Sequence, residues 1–363
     1  MTKMIKMSLV AAVAVAGLSS TVAAKPLEDA IKGVNVTGYV QYRMNKTLDN
    51  GSGNATEAAP DVEYRAFIKA PVNDQTTAKL VLADDANVAG RLRLGEANFI
   101  INQGGATIIA GLQAVPTPFV DPTVSKGNGL VALVPAGDVT LAAGYFYNEI
   151  GLDNNLMAIG AIGKAGNVSY QAWYASLDDT TENGTSTDTV TPAADVQAMA
   201  VIVNTKVNGL AVEAAYASKD GDCVADAQTQ MRAVVSGKAD KISYTAGVVL
   251  TGSNGGNVAI ANASDSKVDF GSSKIAASSA TPSSTILYAS VGTALTPKIG
   301  ASVSLLTGSG DKLAGTNEDS VSDLELKITC TQSKNFSTYA RYNTTSVYGV
   351  DADYLRLQAK YTF

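Results

Sequence analysis

Along most of the chain, apolar and polar residues alternate with a period of two. Between Val34 and Asn45, Val36, Val40, Tyr42 and Met44 share one face, and Asn35, Thr37, Tyr39, Gln41 and Arg43 share the other. The same alternation runs through 61–69, 210–218, 242–251, 298–305, 323–330 and 354–363, where Thr, Val and Tyr are frequent and helical periodicity is missing. The pattern predicts strands at 34–45, 61–70, 77–83, 91–102, 105–113, 129–135, 138–148, 155–163, 167–176, 196–205, 209–218, 227–238, 241–251, 283–293, 297–306, 320–331, 335–343 and 352–363. That makes eighteen strands, with sixteen as the alternative because 129–135, 155–163 and 196–205 are weakly patterned.

The connections between these strands sort by parity. Short ones fall at 71–76, 103–104, 136–137, 164–166, 206–208, 239–240, 294–296 and 332–334. Long ones fall at 46–60, 84–90, 114–128, 149–154, 177–195, 219–226, 252–282, 307–319 and 344–351. Strands of about ten residues with turns on one rim and loops on the other mark an outer-membrane barrel. A soluble β-sandwich has no reason to sort its connections this way. The fold class expected is therefore all-β: a transmembrane antiparallel β-barrel with short periplasmic turns and long extracellular loops.

Lys3 and Lys6 precede an apolar stretch, 7–18, which ends in the small residues Val22-Ala23-Ala24. This is the layout of a secretory signal peptide, and the apolar part falls short of the ~20 residues a spanning helix needs. The expected organisation is a cleaved signal peptide at 1–24, a lead at 25–33 and a barrel at 34–363. Removing two lysines takes the formal charge from −6 to −8, which excludes a nucleic-acid partner. There is no histidine, so Ser-His-Asp and Cys-His catalysis, and the histidine-dependent barrel hydrolases with them, are excluded. Cys223, in the sixth long loop, and Cys330, near the opposite rim, are expected to stay unbridged across a hydrocarbon band about 25 Å tall.

In the last predicted strand Leu355, Leu357, Ala359, Tyr361 and Phe363 share a face and end the chain on an aromatic residue. This resembles the terminal signal read by the barrel assembly machinery of Gram-negative outer membranes. Tyr244, Phe336, Tyr361 and Phe363 are expected in the aromatic girdle on the turn side. Tyr145, Tyr147, Tyr174, Tyr216 and Tyr342 are expected in the one on the loop side.

The segment 26–38, Pro-Leu-Glu-Asp-Ala-Ile-Lys-Gly-Val-Asn-Val-Thr-Gly, leading into Tyr42-Arg43, resembles the mature start of the campylobacterial major outer membrane porin family. Tyr361-Thr362-Phe363 is similar at the other end, and Ala110-Gly111-Leu112-Gln113 runs into the third long loop as in that family. The resemblance implies an eighteen-stranded homotrimeric general porin, set among outer-membrane lipid and lipopolysaccharide. Ca2+ is implied for some members. No motif here carries ligands for it, so the metal site is unknown and no cofactor is expected.

If the apolar face meets lipid, the alternate residues line a water-filled lumen. Arg43, Arg65, Arg341 and Arg356 then point inward near mid-barrel from four strands that become neighbours on closure, forming a basic constriction wall. Glu63 sits between Arg43 and Arg65 and offsets them, and Glu96, Glu213, Asp323 and Glu325 are further inward acids. The third long loop, with Pro116, Pro118 and Pro122 around Phe119 and Val120, is stiff and too apolar for a solvated tip. By analogy with porins it folds inward, and Asp121 faces the arginine wall across the constriction. Arg91 and Arg93 share a face with Ala97, Phe99 and Ile101. Either a bulge near Gly95 flips the phase, or both lie at the loop-side rim, and the rim is the expected place. The loops 177–195 and 252–282, rich in Ser, Thr, Asn and Gly, read as exposed and mobile. The negative mature charge points to a weak cation preference.

The function expected is a general diffusion porin for ions and small hydrophilic solutes in the bacterial outer membrane. The alternatives are a substrate-selective channel and a structural or adhesive barrel whose loops bind a partner. Inward aromatics, Tyr39, Trp173 and Tyr339, are few for a sugar-selective path.

Overall fold

The computed structural model describes residues 32–49, 56–57, 60–85, 88–123, 125–147, 154–179, 195–221, 226–260, 266–268, 271–275, 282–311 and 319–363. The signal-peptide segment 1–24, most of the lead and Cys223 lie outside them.

Eighteen antiparallel strands close into one barrel. They are β1 (Asn35–Asp49), β2 (Asp61–Pro71), β3 (Thr76–Asp85), β4 (Val88–Gln103), β5 (Ala106–Ala114) and β6 (Lys126–Ala136). Then come β7 (Val139–Tyr147), β8 (Asn154–Ala165), β9 (Val168–Asp179), β10 (Val196–Val207), β11 (Leu210–Gly221) and β12 (Gln228–Ala239). The circuit ends with β13 (Ile242–Thr251), β14 (Thr285–Ala294), β15 (Ile299–Ser309), β16 (Ser320–Thr331), β17 (Phe336–Val347) and β18 (Val350–Thr362). Thr56–Glu57 adds a two-residue rung to β1 beyond the rim. Each strand pairs with its neighbours in the chain, and β18 pairs with β1 from Tyr39↔Thr362 to Asp49↔Asp353. Closure leaves no free edge, which a barrel in hydrocarbon requires.

The outward face is apolar and open: Val40, Tyr42, Leu287, Leu326 and Ile328 are among its exposed residues. Tyr361 and Phe363 stack on that face, with ring centroids 6.4 Å apart. Phe363 is fastened to β1 by reciprocal backbone bonds, Gly38 N–H to Phe363 O at 2.9 Å and Phe363 N–H to Gly38 O at 3.0 Å. Gly38 is needed there because a Cβ would lie 2.7 Å from the Phe363 ring and closer still to the Arg65 carbonyl.

All eighteen predicted strands are found, and the turn rim follows expectation to within a residue or two. Asn208-Gly209 has φ of 51° and 85°, and Gly104-Gly105 has 59° and 83°, the left-handed pair that lets a two-residue turn match strand twist. The loop rim departs from expectation where β1 runs on to Asp49 and in two further places. The connection expected at 344–351 is a two-residue turn at Tyr348-Gly349, with φ of 52° and 82°, between Val347 and Val350, which pair with each other. At 84–90 the ladder continues to Asp85↔Val88.

The β3–β4 ladder slips at Val81/Leu82 against Glu96/Leu94, so Gly95 is an extra residue and the phase of β4 flips there. Arg93 therefore lies opposite inward-facing Ala83 on the lumen side, with Leu92 and Leu94 exposed outside. This corrects the rim placement of Arg93.

Candidate functional site

The lumen has two unlike halves. Many inward residues of β6–β11 are apolar, among them Val131, Phe146, Leu156, Ala175, Ala198 and Ala217, and these form a buried cluster with Val115, Phe119 and Val120 of the third loop. Phe119 is 0% exposed. The third loop is thus folded into the barrel and packed on its wall. Trp173 lies over Gly160, where a Cβ would come within 2.5 Å of the indole, so glycine makes room for the ring.

Asp121 is also buried, and its carboxylate closes the loop's own turn. Oδ1 accepts from Thr123 N–H at 2.7 Å and from Thr123 Oγ1–H at 2.7 Å. With 1% exposure it does not present charge to water across from the arginines. An Asp two residues before a Thr forms such an Asx turn locally, and that local demand takes precedence here.

The described parts of the seventh loop, 252–260, 266–268 and 271–275 between β13 and β14, are inside as well, contrary to the exposed loop expected. Val258, Ala259 and Val268 join the apolar cluster. Ile260 N–H donates to Phe119 O at 2.9 Å and Val268 N–H to Pro118 O at 3.1 Å, so the two inward loops are hydrogen-bonded to each other. The wall holds the seventh loop through its own carbonyls. Lys219 Nζ donates to Ala259 O at 3.0 Å, Gln230 Nε2 to Gly256 O at 3.2 Å and Arg232 Nη2 to Lys267 O at 2.6 Å. Further along, Ser273 Oγ donates to Glu325 and accepts from Asn343 Nδ2, and Ile275 is buried with Val249, Ile286, Leu306 and Val321. The loop therefore reaches from the β11–β12 wall to the β16–β17 wall. Buried polar groups find partners here because the backbone supplies them.

The other half of the lumen is polar and basic. In β16, β17, β18 and β1, Lys327, Arg341, Arg356 and Asn45 occupy one cross-strand row. Lys327↔Arg341 and Arg341↔Arg356 are directly opposed, an arrangement that costs stability by like-charge repulsion. Arg356 Nε donates to Asn45 Oδ1 at 2.6 Å, and Glu325 lies 3.9 Å from Arg341 Nε. Arg43 is one inward position nearer the turn rim than Asn45, opposite Gln358, and Arg65 is two further, opposite Tyr39. The four arginines are thus brought together as a staircase rather than a ring. Glu63 serves as counterion to two of them, Arg43 and Arg65. It pairs with Arg43, lies 3.6 Å from Arg65 Nε, and accepts from Tyr39 OH and from Gln41 Nε2.

Several cations of this wall were not singled out from sequence. Lys327 lies over the Tyr339 ring at 4.7 Å, Lys360 over Tyr39 at 3.9 Å, and Lys274 of the seventh loop over Tyr354 at 3.6 Å. Each is flattened against an aromatic face, which suits a cation lining a narrow path. Lys327 and Lys360 carry the alternation signal. Lys274 carries none, being in a loop. Lys79 and Lys126 meet at Glu96, with Nζ–Oε distances of 2.6 and 3.1 Å. Glu213 pairs with Arg232 at 2.8 Å. The Nε atoms of Arg43, Arg65 and Arg341 are buried and lie beside carboxylates at longer than hydrogen-bond distance, 3.9 Å from Asp61, 3.6 Å from Glu63 and 3.9 Å from Glu325. Cys330 is a free thiol. Among the described residues no three His, Cys, Asp or Glu side chains converge on a metal-sized site.

A family model described as Campylobacter major outer membrane protein matches residues 2–149. No curated protein matches the chain. Solved structures from Pseudomonas aeruginosa share the fold. OpdQ superposes with a TM-score of 0.72 at 14% identity, covering 91% of this chain and 99% of that one. OccK3 (OpdO) gives 0.70 at 12%, covering 93% and 97%. OccK2 (OpdF), solved in complex with glucuronate, gives 0.68 at 12%, covering 92% and 98%. Barrel and family match together make this a porin-like barrel of the bacterial outer membrane.

Proposed function

With the campylobacterial major outer membrane porin family as the premise, which the match over residues 2–149 supports, we propose that this barrel is a general diffusion porin. It passes ions and small hydrophilic solutes along the basic side of its lumen. One observation supports the reading: one side of the interior is occupied by an apolar cluster of wall and inward-loop residues, and the other side carries a wall rich in cations. A solute path must follow the wetted half. Arg43, Arg65, Arg341 and Arg356 form its constriction wall with Lys274, Lys327 and Lys360, and Glu63 moderates the charge. The third loop, anchored by Phe119 and shaped by Asp121, sets how far the path is narrowed. No step needs a catalytic group. The wall favours anions in transit, because fixed positive charge in a narrow pore raises local anion concentration. The protein assembles as a homotrimer.

The experiment is liposome swelling with neutral sugars of increasing size. A general porin gives rates that fall smoothly with solute size. The second reading, a substrate-selective channel, is favoured by the two inward loops, which leave only part of the lumen open. It predicts that one small anionic solute outpaces neutral solutes of equal size.

A further inference from the structure

The third loop has a second tether besides Phe119, at the foot where it returns to the wall. Glu96 follows the Gly95 bulge directly, so it faces inward opposite Val81 while Leu94 stays outside. Glu96 is 4% exposed. One carboxylate oxygen takes Lys79 Nζ of β3 at 2.6 Å, and the other takes Lys126 Nζ, from the first residue of β6, at 3.1 Å. The same Lys126 Nζ donates to the Pro122 carbonyl of the loop at 2.6 Å.

Other bonds of this leg join the loop to itself. Thr123 N–H donates to Asp121 Oδ1 at 2.7 Å, Ser125 N–H to Asp121 O at 2.7 Å, and Val115 N–H to Ser125 O at 3.2 Å. They shape the leg, whereas the chain Glu96–Lys126–Pro122 ties it to β4. Lys126 also feels the like charges of Arg65 and Lys79. Glu96 is the anion that holds it among them, and removing one partner from so buried an arrangement leaves the others uncompensated.

We propose that Glu96 is a positioning residue for the solute path: acting through Lys126, it holds the returning leg, 121–125, back against the wall and so fixes the width of the opening. This rests on the diffusion-porin reading and adds to it the group that sets the size limit. Phe119 anchors the tip in the apolar cluster, and Glu96 anchors the foot through charge-assisted bonds. A leg that already lies against the wall can, once released, move only into the path.

The test is hydrogen–deuterium exchange of the detergent-purified, folded barrel, read by mass spectrometry, with planar-bilayer conductance of the same samples. Folding is checked by heat-modified gel mobility. In Glu96→Gln and in Lys126→Met, peptides covering 115–125 should exchange about tenfold faster, the loss of one charge-assisted hydrogen bond, while the strands stay protected. Mean conductance should fall and open-channel noise rise. Lys126→Arg keeps a charged donor and should restore exchange to within twofold of wild type. Combining Glu96→Gln with Lys126→Met should give the same tenfold change, because both break one tie. Should Glu96→Gln fail to fold, Lys126→Met and Lys126→Arg carry the test, since both leave Glu96 paired with Lys79. Unchanged exchange at 115–125, faster exchange across the whole barrel, or a hundredfold change in the double variant would overturn the tether. Faster exchange with unaltered conductance would overturn its hold on the path. If wild type passes no current, the porin reading fails, and exchange still decides whether Glu96 positions the leg.

Discussion

Neutralising Arg341 and Arg356 together, as Arg341→Gln with Arg356→Gln, removes two of the three cations in the row that also holds Lys327. An ion passing about 7 Å from a unit charge in water feels about 0.6 kcal/mol. At about 0.1 M salt, where the Debye length is about 10 Å, screening halves this to about 0.3 kcal/mol. Two charges then change the energy of a cation by about −0.6 and of an anion by about +0.6 kcal/mol, so the anion-to-cation permeability ratio drops about sevenfold. At about 1 M the Debye length is about 3 Å and the effect should nearly vanish. The assay is the reversal potential across a potassium chloride gradient, measured on wild type and variant in planar bilayers at low and high salt. The folded fraction should not fall, because the substitutions relieve a like-charge row and Glu325 keeps its bonds to Ser273 and Asn343. A shift below twofold at low salt, a shift toward anions, or one that persists undiminished at high salt would refute the basic wall as the selectivity element.

Phe119→Ala empties a fully buried site in the packed half of the lumen. It should cost about 3–5 kcal/mol, lowering the urea midpoint of the folded barrel, and it should raise single-channel conductance as the third loop loosens. Arg232→Ala breaks the bonds to Lys267 O and Glu213, each worth about 1.5–3 kcal/mol. It should increase open-channel noise and protease cutting within the seventh loop while the barrel stays folded. Gly38→Ala places a Cβ against the Arg65 carbonyl and the Phe363 ring at the closing seam. It should slow assembly and reduce the heat-modifiable fraction on gels, whereas Gly95→Ala, with its nearest contact at 3.4 Å, should not.

The barrel was legible in the sequence because hydrocarbon outside and water inside impose opposite chemistry on alternate residues. The weakly patterned strands, 129–135, 155–163 and 196–205, are those whose inner faces carry Val131, Ala158, Ala198 and Ala200 and pack against inward loops. With apolar surroundings on both sides, alternation has nothing to report. The arginine wall was visible for the same reason that its strands were: polar positions at period two on neighbouring strands. What stayed hidden depends on contacts far apart in the chain. A Ser- and Gly-rich loop looks solvent-exposed until Lys219, Gln230 and Arg232 are seen to satisfy its carbonyls. Gly95 looks like an ordinary small residue until the register slip is known, and with it the side of the wall on which Arg93 lies. Tyr348-Gly349 escaped notice because a non-glycine at positive φ is rare outside Asn and Asp.

The central claim, that a continuous water-filled path runs along the basic half of this lumen, is tested most directly by single-channel conductance of the purified protein in planar bilayers. The account predicts stepwise ohmic currents in groups of three on insertion. Folded protein that inserts and passes no current would contradict it.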